Sequence, residues 1–162
     1  MADRLSDADI KRLVAERKPL PHDYGERLKL KRKRGHSERE YDVTGAEGSR
    51  FRLILRQSQS NPGDFSLILA YLPPRSNQLF RLRRYNGNHG THSNKLEGTR
   101  LDGVHIHLAT ERYQDSGFRE DAFAEKMTRY SDYSGALRSI LDECGFDVPA
   151  TPRTGSLFKE DQ

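Results

Sequence analysis

"SRFRLILRQSQSNPGDFSLILAYLPPRSNQLFRLRRYN", residues 49–86, alternates apolar and polar side chains in three runs and is interrupted twice. In the first run Phe51, Leu53 and Leu55 oppose Arg50, Arg52 and Arg56; in the last, Phe80 and Leu82 oppose Arg81, Arg83 and Tyr85. Alternate side chains of a strand point to opposite faces, so each run predicts a strand with one face turned to a core. The interruptions, at 59–63 and 72–77, carry the Pro, Gly, Asn and Ser of turns and are too short for a parallel crossover. Three consecutive antiparallel strands follow.

Outward from that centre the same period continues. "RLKLKRKRG" and "EREYDVTG" before it and "GVHIHLAT" after it raise the expectation to five or six strands. At the start, Ser6 precedes "DADIKRLVAER", in which Ile10, Leu13 and Val14 recur at helical spacing behind acids in the first turn. After Gly117 the period lengthens. "REDAFAEKMTRY" sets Phe123, Met127 and Tyr130 on one side, and "SDYSGALRSILDECGF" sets Tyr133, Leu137, Ile140, Leu141 and Cys144 on one stripe, with Gly145 and Phe146 placed as a C-cap. The expected fold is α+β: a curved antiparallel sheet of five to six strands with an N-terminal helix and two C-terminal helices packed on one face. Residues 1–146 read as a single domain. Residues 147–162, rich in Pro, Thr and charge, read as a flexible tail.

Composition bounds the function. Of 162 residues 33% are hydrophobic and 32% charged, a polar chain whose seven Phe and seven Tyr still argue for a folded, aromatic core. A lone cysteine, Cys144, excludes an internal disulfide, and its helical spacing marks it as a small buried hydrophobe. Without a long apolar run, a cytoplasmic protein with no membrane partner is expected. Charge is uneven: Arg27 to Arg56 carries ten Lys/Arg against four acids, and Phe65 to Leu96 five against none. Such segments predict a face that binds anions, and nucleic acid, RNA in particular, is the partner this points to.

Four of the six histidines fall between residues 86 and 113: His89, His92, His105 and His107. In "GVHIHLAT" the alternation sets Val104, Ile106 and Leu108 on one face and His105, His107 and Ala109 on the other, so both imidazoles are expected to point away from the core. Metal-independent RNA cleavage needs a base for the 2′-hydroxyl, an acid for the leaving oxygen and cations for the phosphoryl oxygens. His105 and His107, with His92 brought over from the 86–103 connection, are the candidate catalytic residues. Arg81, Arg83, Arg84, Asn94 and Lys95 are the candidate phosphate and substrate contacts. Tyr85 and Tyr113 are candidate stacking platforms. No cofactor is expected on this reading. The alternative is a metal-dependent enzyme with Zn or Fe on His89, His92, His105 and His107. His105, His107, Glu111 and Gly117 also fall near the spacing of the first cupin signature, but residues 118–146 hold no histidine for a second one, so a cupin fold is not expected.

The order of "LFRLRRYNG", a histidine loop with "HSN", "HIH" on a strand, then "ERY" resembles small bacterial domains similar to TumE-like toxins of toxin–antitoxin and phage-defence loci. The resemblance spans roughly residues 50–125, with Val104 where that family has a proline. It implies a ribonuclease-type activity with His105 and His107 in the motif, and a cognate antitoxin as partner. The non-catalytic alternative is a nucleic-acid or partner-binding module of such a system, using the same surface only to bind.

Overall fold

The computed structural model describes residues 4–88 and 90–150. In chain order the elements are α1 (Asp7–Ala15), β1 (Lys18–Pro19), α2 (Tyr24–Arg27), β2 (Lys31–Arg32), β3 (His36–Thr44), β4 (Arg50–Ser58), β5 (Phe65–Tyr71), β6 (Phe80–Asn86), β7 (Thr91–Asn94), β8 (Thr99–Asp102), β9 (His105–Leu108), α3 (Glu111–Asp115), β10 (Phe123–Lys126), α4 (Tyr133–Glu143) and β11 (Phe146–Asp147). The fold is α+β. Among the described residues an open, antiparallel seven-stranded sheet runs β10-β9-β6-β5-β4-β3-β2, with the predicted meander β4-β5-β6 inside it. A hairpin, β7-β8, and a short parallel pair, β1-β11, stand apart from that sheet.

One face of the sheet carries the core. Ile10, Leu13 and Val14 of α1 and Leu137, Ile140 and Leu141 of α4 join Phe51, Leu53, Leu55, Phe65, Leu67 and Leu69 in a single buried cluster. Ser6 caps α1 through the Asp9 amide, and Asp132 caps α4 through the Gly135 amide. The helix ends meet over a buried lysine. The Lys18 Nζ lies 2.9, 3.0, 2.7 and 2.8 Å from the carbonyls of Leu13, Val14, Glu16 and Cys144, which share its three protons, and stands 4.3 Å above the Phe51 ring. A single ammonium thereby satisfies carbonyls that the last turn of α1 would leave orphaned.

Several expectations change. The helix expected over 119–130 is instead strand β10, because β9 offers an unpaired edge that Phe123–Lys126 completes. Met127 and Tyr130 are buried as their apolar character requires, but they reach the core through a strand and a turn. One C-terminal helix, α4, therefore stands where two were expected. "RLKLKRKRG" yields the last residue of α2 and only a two-residue strand, and the connection at 86–103 contains the hairpin β7-β8. Asp147, the first residue assigned to the tail, pairs with Pro19 in β11; residues 151–162 lie outside the described residues.

The difference that matters most for function is in β6. Tyr71 and Ala70 of β5 pair with Phe80 and Arg81, but Leu69 pairs with Arg83, leaving Leu82 as an extra residue in the ladder. A bulge of one residue reverses the alternation beyond it. Phe80 and Leu82 are buried, as expected. Past the bulge, Arg83 and Tyr85 lie on the face of Leu69 and Leu67, under the helices, while Arg84 and Asn86 take the opposite face.

Candidate functional site

Strand β9 lies between β6 and β10, and its register fixes the site. His105 is opposite Asn86, and His107 is opposite Arg84 on one side and Ala124 on the other. Directly paired residues share a face, so the bulge brings Arg84 and Asn86 beside the two histidines. The hairpin β7-β8 then covers this face. Asn94 makes both bonds of a strand rung with its side chain: its Nδ2 donates to the Ala124 carbonyl at 2.8 Å, and the Ala124 amide donates to its Oδ1 at 2.9 Å. At the turn of the hairpin, Tyr113 donates its hydroxyl proton to Glu97 and accepts from the Leu96 amide.

The docked hairpin delivers His92. Its ring centroid is 5.7 Å from that of His105 and 4.6 Å from that of His107, and the latter two are 5.0 Å apart. His105 and His107 do not face solvent as the alternation implied. They are 3% and 4% exposed, because the hairpin covers the face that a bare sheet would expose.

Each ring is oriented by a backbone carbonyl. Carbonyls only accept, so the His105 Nδ1 donates to Gly103, the His107 Nδ1 to Asp121 and the His92 Nε2 to Ala122, each at 2.8 Å. In their neutral forms His105 and His107 therefore carry the lone pair on Nε2, and His92 carries it on Nδ1. Burial, with the Arg84 cation alongside, pushes His107 down to a pKa of about 3, so at neutral pH it is an uncharged acceptor.

The cations are held by a buried carboxylate. Asp121, fully buried, accepts from the Arg119 Nε at 2.7 Å and the Arg84 Nε at 3.2 Å. One carboxylate against two guanidiniums leaves a net positive charge, and both arginines bond Asp121 through Nε rather than through their Nη donors. Asn86 is 2% exposed and its Oδ1 has no hydrogen-bond partner among the described residues. A buried acceptor left unpaired costs about 1–3 kcal/mol, which a ligand donor would recover. Arg84, Asn86, His92, His105, His107 and Arg119 line one pocket of about 440 Å³.

The structure thus unites His92, His105, His107 and Arg84 and separates the other candidates from them. Arg81 bonds Glu120 and lines a different depression. Arg83 and Tyr85 lie on the helix side, where the Tyr85 hydroxyl donates to Glu143 at 2.6 Å. Tyr113 is fully buried against Phe118 and Phe123, Asn94 is a strut, and Lys95 is exposed on the hairpin turn. Of the alternative metal ligands, His89 lies outside the described residues. Among the described residues no group of three or more His, Cys, Asp or Glu is arranged to hold a metal ion. Sequence reasoning missed Asn86, Arg119 and Asp121. The first sat at a strand end before a glycine, and the others lay inside a segment whose helical period hid its strand.

Among the described residues no helix is long and apolar enough to cross a membrane. Residues 5–145 match the model of a family of unknown function, DUF6978, and the chain belongs to that family. No curated protein and no solved structure matches it.

Proposed function

We propose that the protein is a ribonuclease that cleaves RNA without a metal, by histidine acid–base chemistry. The observation that supports this reading is the convergence of three carbonyl-oriented imidazoles and two arginines on one pocket. His107, neutral and with its lone pair on Nε2, takes the 2′-hydroxyl proton. O2′ attacks phosphorus, the bond from phosphorus to O5′ breaks, and protonated His105 gives its proton to O5′. His92 packs against both rings. Arg84 and Arg119 neutralise the phosphoryl oxygens as charge grows on them, and the Asn86 Oδ1 accepts from a sugar hydroxyl.

Burial is the larger cause of the low basicity of His107, and the Arg84 cation is the part a bound anion can offset. A phosphate beside Arg84 offsets the cation that disfavours imidazolium, so substrate binding itself raises His107 toward the range useful to a base. The exposed basic run Lys31–Arg34 adds phosphate contacts, and binding weakens with salt. On the TumE-like resemblance, the protein acts as a cytosolic toxin with a cognate antitoxin as its partner. The buried free thiol of Cys144 suits the reducing cytosol.

Cleavage of end-labelled RNA, with and without EDTA, tests the reading. The expected result is chelator-insensitive cleavage that falls on the order of 100-fold or more in His105→Ala and in His107→Ala, with both variants folded by circular dichroism. Activity abolished by EDTA and restored by zinc or iron would assign the imidazoles to a metal. Salt-sensitive RNA binding with no cleavage by the wild type would make the protein a binding module.

A further inference from the structure

We propose that a second pocket on the same sheet face takes the nucleobase flanking the scissile phosphate, and that it selects guanine. The inference uses the ribonuclease reading only for the identity of the strand that lies there. The two pockets share a ladder row. His105 is opposite Asn86, Asn86 is opposite Ser66, and Ser66 is opposite Arg56, so one line of same-face side chains crosses β9, β6, β5 and β4. Three strand gaps put Arg56 ~14 Å from His105. Around Arg56 a pocket of about 330 Å³ opens, lined also by Gly35, His36, Ser58, Asp64 and Ser66.

This pocket is built by two turns that hold each other. Gln59, in the β4-β5 loop, donates through Nε2 to the Lys33 and His36 carbonyls, both at 2.8 Å, and through its amide to the Gly35 carbonyl at 3.2 Å. The same loop is fixed to the end of β6. The Asn88 amide donates to the Gly63 carbonyl at 2.9 Å, and a Cβ at Gly87 would fall 2.1 Å from that oxygen, so only glycine allows the approach. The β4-β5 loop therefore sets the second pocket in register with Asn86 and the histidines.

The chemistry is that of a base edge. Arg56 is exposed and makes no ion pair among the described residues, and a guanidinium fork matches the two acceptors, O6 and N7, of guanine. The Asp64 carboxylate lines the same pocket, and beyond the partner it already has its oxygens keep lone pairs that can accept from the N1–H and amino group of the same base. Adenine offers one acceptor and one donor where guanine offers two acceptors, and the pyrimidines have no N7. The basic run at Lys31–Arg34 borders the pocket at Gly35 and supplies the phosphate contacts that lead a strand into it.

Four 2′-O-methyl tetranucleotides that differ in one base, which cannot be cleaved through the 2′-oxygen, titrated calorimetrically against the full chain, test the proposal. The guanine oligonucleotide should bind on the order of tenfold more tightly than the other three. Arg56→Ala should erase that preference, and His107→Ala should retain it. Equal affinities for the four, no binding, a preference for another base, or a guanine preference that survives Arg56→Ala would overturn the proposal. Failure of the ribonuclease reading looks different: guanine preference intact, and the 2′-hydroxyl versions of the same oligonucleotides left uncut.

Discussion

The two faces of the central sheet are both buried around β6, but by opposite means. On the helix side, leucines and phenylalanines fill the space below α1 and α4, and what polar groups enter, such as Lys18, are saturated by carbonyls within the fold. On the hairpin side, His105, His107, Asp121 and Asn86 are buried, and the Asn86 acceptor is left without a partner among the described residues. Burial of apolar surface is driven by water; burial of imidazoles and charges beside an unsatisfied acceptor is not. On the proposed function, that face is held in place for the RNA that supplies the missing partner.

The comparison breaks most visibly at Asp121. Asp121→Ala leaves Arg84 and Arg119 without their shared counter-ion and should lower unfolding stability by about 3–5 kcal/mol, with cleavage lost. Leu67→Ala on the opposite face should cost a comparable ~2–5 kcal/mol, yet the molecules that remain folded should cleave at the wild-type rate. Urea denaturation followed by RNA cleavage per folded molecule measures both. Equal loss of activity in the two variants would remove the distinction between the faces.

A smaller effect tests the histidine side through protons. The folded-state pKa of His107, about 3, is below the ordinary 6.5, so in the interval between them the unfolded chain binds a proton that the folded one refuses. The stability this contributes is present above pH ~6.5 and is lost as pH falls toward 3, by about 1.4 kcal/mol per pH unit at the steepest. In His107→Gln the dependence of the urea midpoint on pH across that interval should be shallower. Identical slopes in the two proteins would place His107 in water.

How much of this was legible follows from the period-two runs. Strands β4, β5, β6 and β9 were readable because Phe51, Leu53 and Leu55, Phe65, Leu67 and Leu69, Phe80 and Leu82, and Val104, Ile106 and Leu108 recur at every second position, and α1 and α4 because their apolar stripes begin at a cap. The histidine cluster was readable as chemistry. Its surroundings were not, because the Leu82 bulge is invisible in "LFRLRRYN": the extra residue is itself apolar, and nothing local announces that Arg84 rather than Arg83 shares a face with His107. The hairpin was hidden for a different reason. Thr91–Asn94 and Thr99–Asp102 have no apolar face, since they dock through Asn94 and His92.

The smallest predicted differences lie between neighbouring arginines. Arg84→Ala should reduce cleavage by more than about tenfold with little change in fold, as loss of a charge-stabilising donor does. Arg83→Ala should leave cleavage within about twofold, because that side chain lies beside Glu143 and Tyr85 on the other face. Steady-state rates on one RNA decide between them, and the reverse order would restore the simple alternation and contradict the bulge.

The most direct measurement of the central claim is the fate of one RNA carrying a single 2′-deoxy sugar at its preferred cleavage site. Attack through O2′ predicts 2′,3′-cyclic phosphate and 5′-hydroxyl ends from the all-ribose strand, and no cleavage at the 2′-deoxy position in the presence of EDTA. Cleavage that persists at the 2′-deoxy position, or products ending in 3′-hydroxyl and 5′-phosphate, would contradict it.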